Sequence, residues 1–100
     1  MGVGVDGIQL PPITSFEYSQ YFRKNTKRLR TEIEEGLKAL ICELQNGSLS
    51  KGRKLKKAYG CYVARINQNY RLAFVVHNDG AVEFICIDTH DEAYRYLRRR

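Results

Sequence analysis

The sequence predicts an α+β domain in which a helical hairpin packs on a small antiparallel β-sheet and a short helix follows at the C-terminus. Three observations lead to this prediction. Apolar residues recur at helical spacing from residue 18 to residue 44. Three strand-like runs then follow one another, separated by short polar turns. The final segment, HDEAYRYLRRR, has the length and composition of one short helix.

The first twelve residues are rich in glycine and end in Pro11-Pro12, so we expect a flexible tail over residues 1–12. Residues 13–100 then make a single domain, because a chain of 100 residues buries one modest core and no second one. A short strand is predicted near residues 13–16, ITSF.

The helical segment divides into two predicted helices, at residues 19–29 and 31–46. Thr31 followed by Glu34 is typical of a capping box and places the start of the second helix there. Asn46-Gly47 is a C-terminal stop signal. Gly36 lies inside the second helix, where it indicates close packing between the two helices.

The strand-like runs cover residues 59–66, 70–77 and 81–88 and predict an antiparallel meander. Their separators are NQN and NDG, and Asp-Gly is a strong tight-turn signal. Thr89 or Asp91 can cap a last helix over residues 91–99.

Side chains alternate between the two faces of a sheet, which assigns the strand residues to an apolar face and a mixed face. The apolar face, expected to receive the helices, carries Tyr62, Ala64, Ile66, Leu72, Phe74, Val76, Ile85 and Ile87. The opposite face is expected to carry Val63, Arg65, Arg71, Ala73, Val75, Phe84, Cys86 and Asp88.

The three-residue turn at 67–69 places Arg65 directly opposite Arg71 on the neighbouring strand. Like charges in such a pair destabilise a sheet. An anion held between the two guanidinium groups would offset this repulsion. The alternatives are that both side chains extend into water, or that they pair with Asp88 and Glu83.

Seventeen Lys and Arg residues against eleven Asp and Glu give a net charge of +6 and a pI near 9.4. Such an excess favours a polyanionic partner: nucleic acid, an acidic protein or anionic lipid. A basic connector over residues 47–58, GSLSKGRKLKKA, supplies the RNA-binding candidates Lys51, Arg53, Lys54, Lys56 and Lys57. A solvated charged surface is the alternative interpretation of this run.

His90 and Tyr94 lie one helical turn apart in the predicted last helix, beside several arginines. Imidazole can accept and donate protons near neutral pH, and a phenol can share that task. Cleavage of RNA by its own 2′-hydroxyl needs a base, an acid and cations around the phosphate. The alternative is structural: His90 near the helix start and Tyr94 packed on the core.

Other function classes lack support in the sequence. The three cysteines have no CxxC or Cys/His ligand spacing, so we expect reduced thiols, no metal site and no cofactor. The N-terminus has no basic region followed by an apolar stretch, and no apolar run reaches membrane-spanning length. We therefore expect a cytoplasmic protein without membrane contact.

Residues 54–94, KLKKAYGCYVARINQNYRLAFVVHNDGAVEFICIDTHDEAY, resemble the RelE/ParE toxin superfamily of bacterial toxin–antitoxin systems. The shared pattern is KL, then Y-x-x-R-I, then N-Y-R-L, a hydrophobic strand and a terminal H-D-E-A-Y. With the preceding helical hairpin, the resemblance covers residues 13–97. It implies a ribosome-dependent endoribonuclease that cuts mRNA, with an antitoxin protein as its partner.

The resemblance also implies roles for particular residues. Arg65 and Arg71 would hold the scissile phosphate, His90 and Tyr94 would transfer protons, and Lys54 would contact RNA. Val63 departs from the pattern, because a typical member has a further lysine there, and this shifts the role of base toward His90. Two other functions stay open: a toxin that inhibits DNA gyrase without nuclease activity, and a catalytically silent RNA-binding domain.

Overall fold

The elements follow one another in the order strand, strand, strand, helix, helix, four strands, helix. This computed structural model describes residues 3–5, 8–27, 29–47 and 49–100, without the side chains of residues 3–5, 8, 9 and 51. The strands are β1 Val3–Val5, β2 Ile8–Leu10, β3 Ser15–Tyr18, β4 Lys56–Ala58, β5 Cys61–Arg65, β6 Tyr70–Val76 and β7 Ala81–Thr89. The helices are α1 Gln20–Thr26, α2 Thr31–Gln45 and α3 His90–Arg99, and a 3-10 turn covers Lys51–Arg53. No helix of this described part is long and apolar enough to cross a membrane.

The main sheet has five strands in the order β3-β7-β6-β5-β4. The predicted antiparallel meander is confirmed by β5, β6 and β7, and β4 extends it by one strand. β3 joins the far edge in parallel with β7, which makes the sheet mixed. The chain leaves β3 and passes through both helices, α1 and α2, before it re-enters the sheet at β4. Because the two helices bring it back to the end of the sheet where β3 stops, the last strand, β7, can lie parallel to β3.

The helical hairpin is confirmed, but its starting signals differ from the prediction. Ser19 caps α1, since its Oγ accepts a hydrogen bond from the Phe22 backbone N at 3.1 Å. The capping box predicted at Thr31 and Glu34 is wrong: Thr31 is already helical, and the cap residue Arg30 makes no side-chain capping bond. The predicted stop at Asn46-Gly47 is confirmed, with Gly47 at φ +68°.

Gly36 permits a close contact, but with the sheet instead of the other helix. A Cβ atom at this position would lie 2.8 Å from Ile66 Cγ2. The absence of a side chain therefore lets α2 approach the end of β5, and the predicted helix–helix contact at Gly36 is wrong.

The sheet separates two apolar clusters. The larger one lies toward α2 and includes Leu40, Leu44, Phe74 and Phe84, all fully buried. The smaller one lies on the opposite face and consists of Cys61, Val63, Ala73, Ile85, Cys86, Ala93 and Leu97. Ala93 and Leu97 belong to α3, so this helix covers part of the sheet face opposite α2.

A β-bulge changes which side chains of β7 face α2. Ala73 pairs with Cys86, but the next residue, Phe74, pairs with Phe84, so Ile85 has no partner on β6. An extra residue reverses the alternation beyond it. Phe84 therefore lies in the α2-side cluster and Ile85 in the α3-side cluster, the reverse of the predicted assignment for both.

The N-terminal segment, expected to be a flexible tail, contains two paired strands in its described part. β1 and β2 pair as antiparallel strands, with Val3 opposite Leu10. Leu10 is 2% exposed and belongs to the α2-side cluster. Next along the chain, the Pro12 carbonyl packs against Gly80, where a Cβ would come within 2.2 Å of it. Gly80 has φ +90°, so both its backbone and its surroundings require glycine.

Candidate active site

A small pocket of about 50 Å³ opens between β4, β5, β6 and the first turn of α3. Its lining residues are Lys54, Lys56, Val63, Arg71, His90 and Tyr94. Arg71, His90 and Tyr94, predicted as catalytic, therefore meet at one place with two of the predicted RNA-binding lysines.

Strand register and small side chains bring these groups together. Lys56 on β4 is the partner of Val63 on β5, and Val63 is the partner of Ala73 on β6. Ala73 and Ala93 are both fully buried in the α3-side cluster. Because these side chains are small, α3 lies close to the sheet and its first turn reaches the pocket.

α3 begins at His90, and its position is fixed by the turn between β5 and β6. The backbone N of His90 donates to the Asn69 carbonyl at 2.9 Å. The rings of His90 and Tyr94 are neighbours, with centroids 4.8 Å apart and planes at 47°. His90 Nδ1 lies 3.1 Å from Asp91 Oδ1, and its side chain is 54% exposed. A proton on Nδ1 shared with Asp91 leaves the lone pair on Nε2, where it can act as a base.

Arg71 is held by backbone carbonyls and has no carboxylate partner in the described part of the chain. Its Nη1 donates to the carbonyls of Asn67 at 3.0 Å, Gln68 at 3.3 Å and Tyr70 at 3.0 Å. Partial burial and the charge of Arg65 lower the pKa of Arg71, while Tyr94 acts in the opposite direction. A guanidinium stays protonated under such shifts, so the pocket contains a partly desolvated, uncompensated cation.

Arg65 is the partner of Arg71 across β5 and β6, which confirms the predicted register. Its side chain does not line the pocket, and its Nε donates to the Asn67 carbonyl at 3.2 Å. The alternative pairing with Asp88 or Glu83 is absent from the described residues, since Glu83 pairs with His77 and Asp88 accepts from the Thr89 backbone N. Arg65 adds positive potential beside the pocket, and its predicted contact with the scissile phosphate stays a prediction.

The basic connector divides into residues that face the pocket and residues that do not. Arg53 is 13% exposed and forms an ion pair with Glu43. Its Nη1 also donates to the carbonyls of Arg65 and Ile66, both at 3.2 Å. Arg53 thus fastens the connector to α2 and β5, and its predicted role in RNA binding stays a prediction.

The ionisation of Glu43 reflects this pairing. Partial burial acts to raise the pKa of Glu43, but hydrogen bonds from Arg53 and from the Ser50 backbone N outweigh it. The pKa of Glu43 therefore lies below its ordinary value, and the carboxylate stays charged beside Arg53.

Adjacent lysines on β4 point to opposite faces of the sheet. Lys57 lies next to Lys56 but points to the other face, where its Nζ is 5.6 Å from the centre of the Tyr62 ring. Lys54 lines the pocket from a left-handed backbone conformation, φ +47°, which a non-glycine residue adopts at a cost of about 1–2 kcal/mol. The side chain of Lys51, also predicted to bind RNA, lies outside the described residues.

Asn67 is the residue of this region that the sequence analysis missed. Its Oδ1 accepts hydrogen bonds from the backbone N atoms of Asn69 and Tyr70, at 2.9 and 2.8 Å. Its carbonyl accepts from both Arg65 and Arg71. Asparagine in a short turn between strands is the signal that points to such a role, because its side chain stabilises turns of this kind.

The architecture of this chain is similar to that of several solved structures. No protein-family model matches the chain, and no curated protein matches it significantly. Among solved structures, YafQ from E. coli strain BL21(DE3) has 21% identity and a TM-score of 0.66, over 79% of this chain and 96% of that one. The toxin–antitoxin complex RelB-RelE from Methanococcus jannaschii matches at 27% identity and a TM-score of 0.60, over 80% of this chain and 96% of that one. A YoeB/ParE toxin from Agrobacterium tumefaciens has 18% identity and a TM-score of 0.64, over 77% and 99%.

Proposed function

The chain has the fold of the RelE-like toxin superfamily, and from this premise we propose that it is the toxin of a type II toxin–antitoxin system that cleaves mRNA on the ribosome. It would act in the cytoplasm, where ribosomes and mRNA are found. The proposal depends on one observation above all: Arg71, His90 and Tyr94 line a single pocket together with two lysines.

The pocket has the groups that 2′-hydroxyl attack on a phosphodiester requires. A base removes the proton of the 2′-hydroxyl as the 2′-oxygen bonds to phosphorus, and an acid protonates the 5′-oxygen as its bond to phosphorus breaks. His90 and Tyr94, with ring centroids 4.8 Å apart, would divide these two transfers. Arg71 and the lysines would stabilise the negative charge that develops on the phosphate oxygens. The products would be a 2′,3′-cyclic phosphate and a 5′-hydroxyl.

Lys56 would take the place of the lysine that is missing at position 63. Val63 is 2% exposed and forms part of the wall. Its cross-strand partner is Lys56, which lines the same pocket. An ammonium group is therefore supplied from the neighbouring strand, close to where the superfamily pattern would place it.

The size of the pocket favours a substrate that another molecule presents. A volume of about 50 Å³ suits a phosphate group, and the base and ribose of a nucleotide would lie outside it. The pocket alone thus offers little to orient an RNA strand, and positioning is a large part of catalysis. An mRNA held in the ribosome meets this requirement, which supports ribosome dependence.

An antitoxin is the second proposed partner. The solved relatives include a RelB-RelE antitoxin–toxin complex and a DinJ-YafQ complex. With a net charge of +6, this chain would attract an acidic or amphipathic antitoxin segment over its basic surface.

The test is cleavage of a defined mRNA by the purified chain, with and without ribosomes, mapped by primer extension. We expect cuts only with ribosomes and none from the double variant His90→Ala, Tyr94→Phe. Tyr59→Phe is the matched control, since Tyr59 is 55% exposed and is not among the residues that line the pocket, and it should cut like the wild type.

Two other outcomes would overturn the nuclease proposal. Normal mRNA and normal translation, followed by inhibition in a DNA gyrase supercoiling assay, would establish the gyrase alternative. Salt-sensitive RNA binding without any cut would identify a silent RNA-binding domain.

A further inference from the structure

Glu17, His77 and Glu83 form a cluster at the end of the sheet that is remote from the active-site pocket. Arg71 lies near the start of β6 and His77 directly after its end. At about 3.3 Å per strand residue, the six residue steps from Arg71 to His77 separate the two places by roughly 20 Å. The cluster therefore takes no part in the proposed cleavage and needs a separate explanation.

The three side chains converge from three parts of the sheet. Glu17 on β3 is the direct parallel partner of Glu83 on β7. His77 follows β6, and its backbone N donates to the Ala81 carbonyl at 2.8 Å, closing the β6–β7 hairpin. His77 Nε2 lies 3.2 Å from Glu83 Oε1. One ligand atom from each residue lies within 4.8 Å of the other two.

The charges of this cluster are not balanced by the protein. Carboxylates directly opposite one another on adjacent strands repel and destabilise the pairing. Within the described residues, neither Glu17 nor Glu83 forms an ion pair with a lysine or arginine. A protonated His77 offsets one negative charge of the two. A divalent cation would offset both.

We propose that Glu17, His77 and Glu83 bind one divalent transition-metal ion, with Zn²⁺ the best match. One imidazole and two carboxylates, with water in the fourth position, are a ligand set that zinc accepts at bond lengths of about 2.0–2.2 Å. Those lengths put tetrahedral ligands about 3.4 Å apart, close to the observed 3.2 Å between His77 and Glu83. Imidazole disfavours Ca²⁺ and Mg²⁺, which prefer oxygen ligands.

Access and placement are consistent with such a site. The side chains of His77 and Glu83 are 46% and 35% exposed, so an ion can enter without any opening of the fold. The ion would join edge strand β3 to the β6–β7 hairpin, and a ligand that binds only the folded state stabilises it. We therefore expect the ion to stabilise this edge of the sheet.

The experiment uses the full chain, freed of metal by a chelator, and measures Zn²⁺ binding by calorimetry and thermal unfolding with and without Zn²⁺. A Cys42→Ser background removes the exposed thiol as a competing ligand. We expect one equivalent of Zn²⁺ to bind and saturating metal to raise the Tm by about 5 °C or more. Co²⁺ in place of Zn²⁺ should give the visible absorption of a four-coordinate site.

His77→Gln and Glu17→Gln should each abolish the Zn²⁺-dependent rise in Tm, and Glu34→Gln, an exposed carboxylate on α2, should retain it. Glu17→Gln should also unfold at the same or a higher temperature than the wild type without metal, because it removes the repulsion. Equal Zn²⁺ shifts in the variants and the wild type would overturn the proposal. So would the absence of binding, which would leave a protonated His77 as the bridge between the carboxylates.

Discussion

Arg53 and Arg71 lie in the same half of the molecule, both partly buried, and their surroundings differ in one respect. Arg53 has a carboxylate partner, Glu43, in addition to two backbone carbonyls. Arg71 has backbone carbonyls only, and its cross-strand neighbour is a second arginine. The charge of Arg53, which fastens the connector, is neutralised by Glu43, whereas the charge of Arg71 in the pocket is not neutralised by a carboxylate of the described residues. That difference separates a structural arginine from one that is available to an anion.

The largest effect should come from Arg71→Ala. We expect ribosome-dependent cleavage to fall by about 10²–10³-fold, since the group that stabilises the developing charge is lost. The free energy of unfolding should change by less than about 1 kcal/mol, because removal of Arg71 also relieves its repulsion with Arg65. Cleavage kinetics and urea unfolding on the same preparation measure both quantities, and a strongly destabilised variant would show that Arg71 is structural.

Arg53→Ala should show the opposite pattern. It leaves the partly buried Glu43 without its partner and the carbonyls of Arg65 and Ile66 without this donor, so the free energy of unfolding should fall by about 2–4 kcal/mol. Cleavage per folded molecule should stay within a few-fold of the wild type. Urea unfolding gives the first value, and activity scaled to the folded fraction gives the second. A stable Arg53→Ala protein that no longer cleaves would instead support the RNA-binding role that the sequence predicts for Arg53.

The pH dependence of the free energy of unfolding tests whether Arg53 is neutralised by Glu43. The pKa of Glu43 is lowered in the folded state, so its contribution is complete above its unfolded pKa of about 4.3 and is lost as the pH falls through the lower folded value. Glu43→Gln should be less stable than the wild type by about 1 kcal/mol at pH 7. Urea midpoints should show this difference shrinking below about pH 4. A difference that is constant from pH 7 to acid would contradict the ion pair.

The smallest change in cleavage rate is expected for substitutions of two adjacent lysines, Lys56 and Lys57. Lys56 lines the pocket and Lys57 lies over the Tyr62 ring on the other face. We expect Lys56→Ala to lower cleavage by about tenfold, comparable to the loss of one charge-assisted contact, and Lys57→Ala to change it by less than about twofold. Cleavage rates at two salt concentrations test this, and equal losses from both variants would mean that only overall charge matters.

Local patterns predicted much of this molecule from its sequence. Helical spacing located α2, tight-turn signals located the meander, and the length of the 67–69 turn predicted the pairing of Arg65 with Arg71. The single-turn spacing of His90 and Tyr94 predicted their contact. Each of these predictions depends on residues that are close in sequence, where backbone geometry leaves few alternatives.

The remaining features depend on contacts between distant residues. The bulge at Ile85 is set by strand pairing across the sheet, and no residue type marks it. The partner of Arg53 is on α2, ten residues earlier, and only the folded structure shows that this basic residue is partly buried and paired with a carboxylate. The parallel placement of β3 beside β7 likewise joins segments more than sixty residues apart.

The chemical ends of the cleavage products distinguish attack by the 2′-hydroxyl from hydrolysis by water. We expect mRNA cut on the ribosome by the wild-type chain to have a 2′,3′-cyclic phosphate on one fragment and a 5′-hydroxyl on the other. We also expect a single 2′-deoxynucleotide before the scissile phosphate to abolish that cut and to spare others. A 5′-phosphate, or a cut that persists at the 2′-deoxy position, would contradict 2′-hydroxyl attack in the Arg71–His90–Tyr94 pocket.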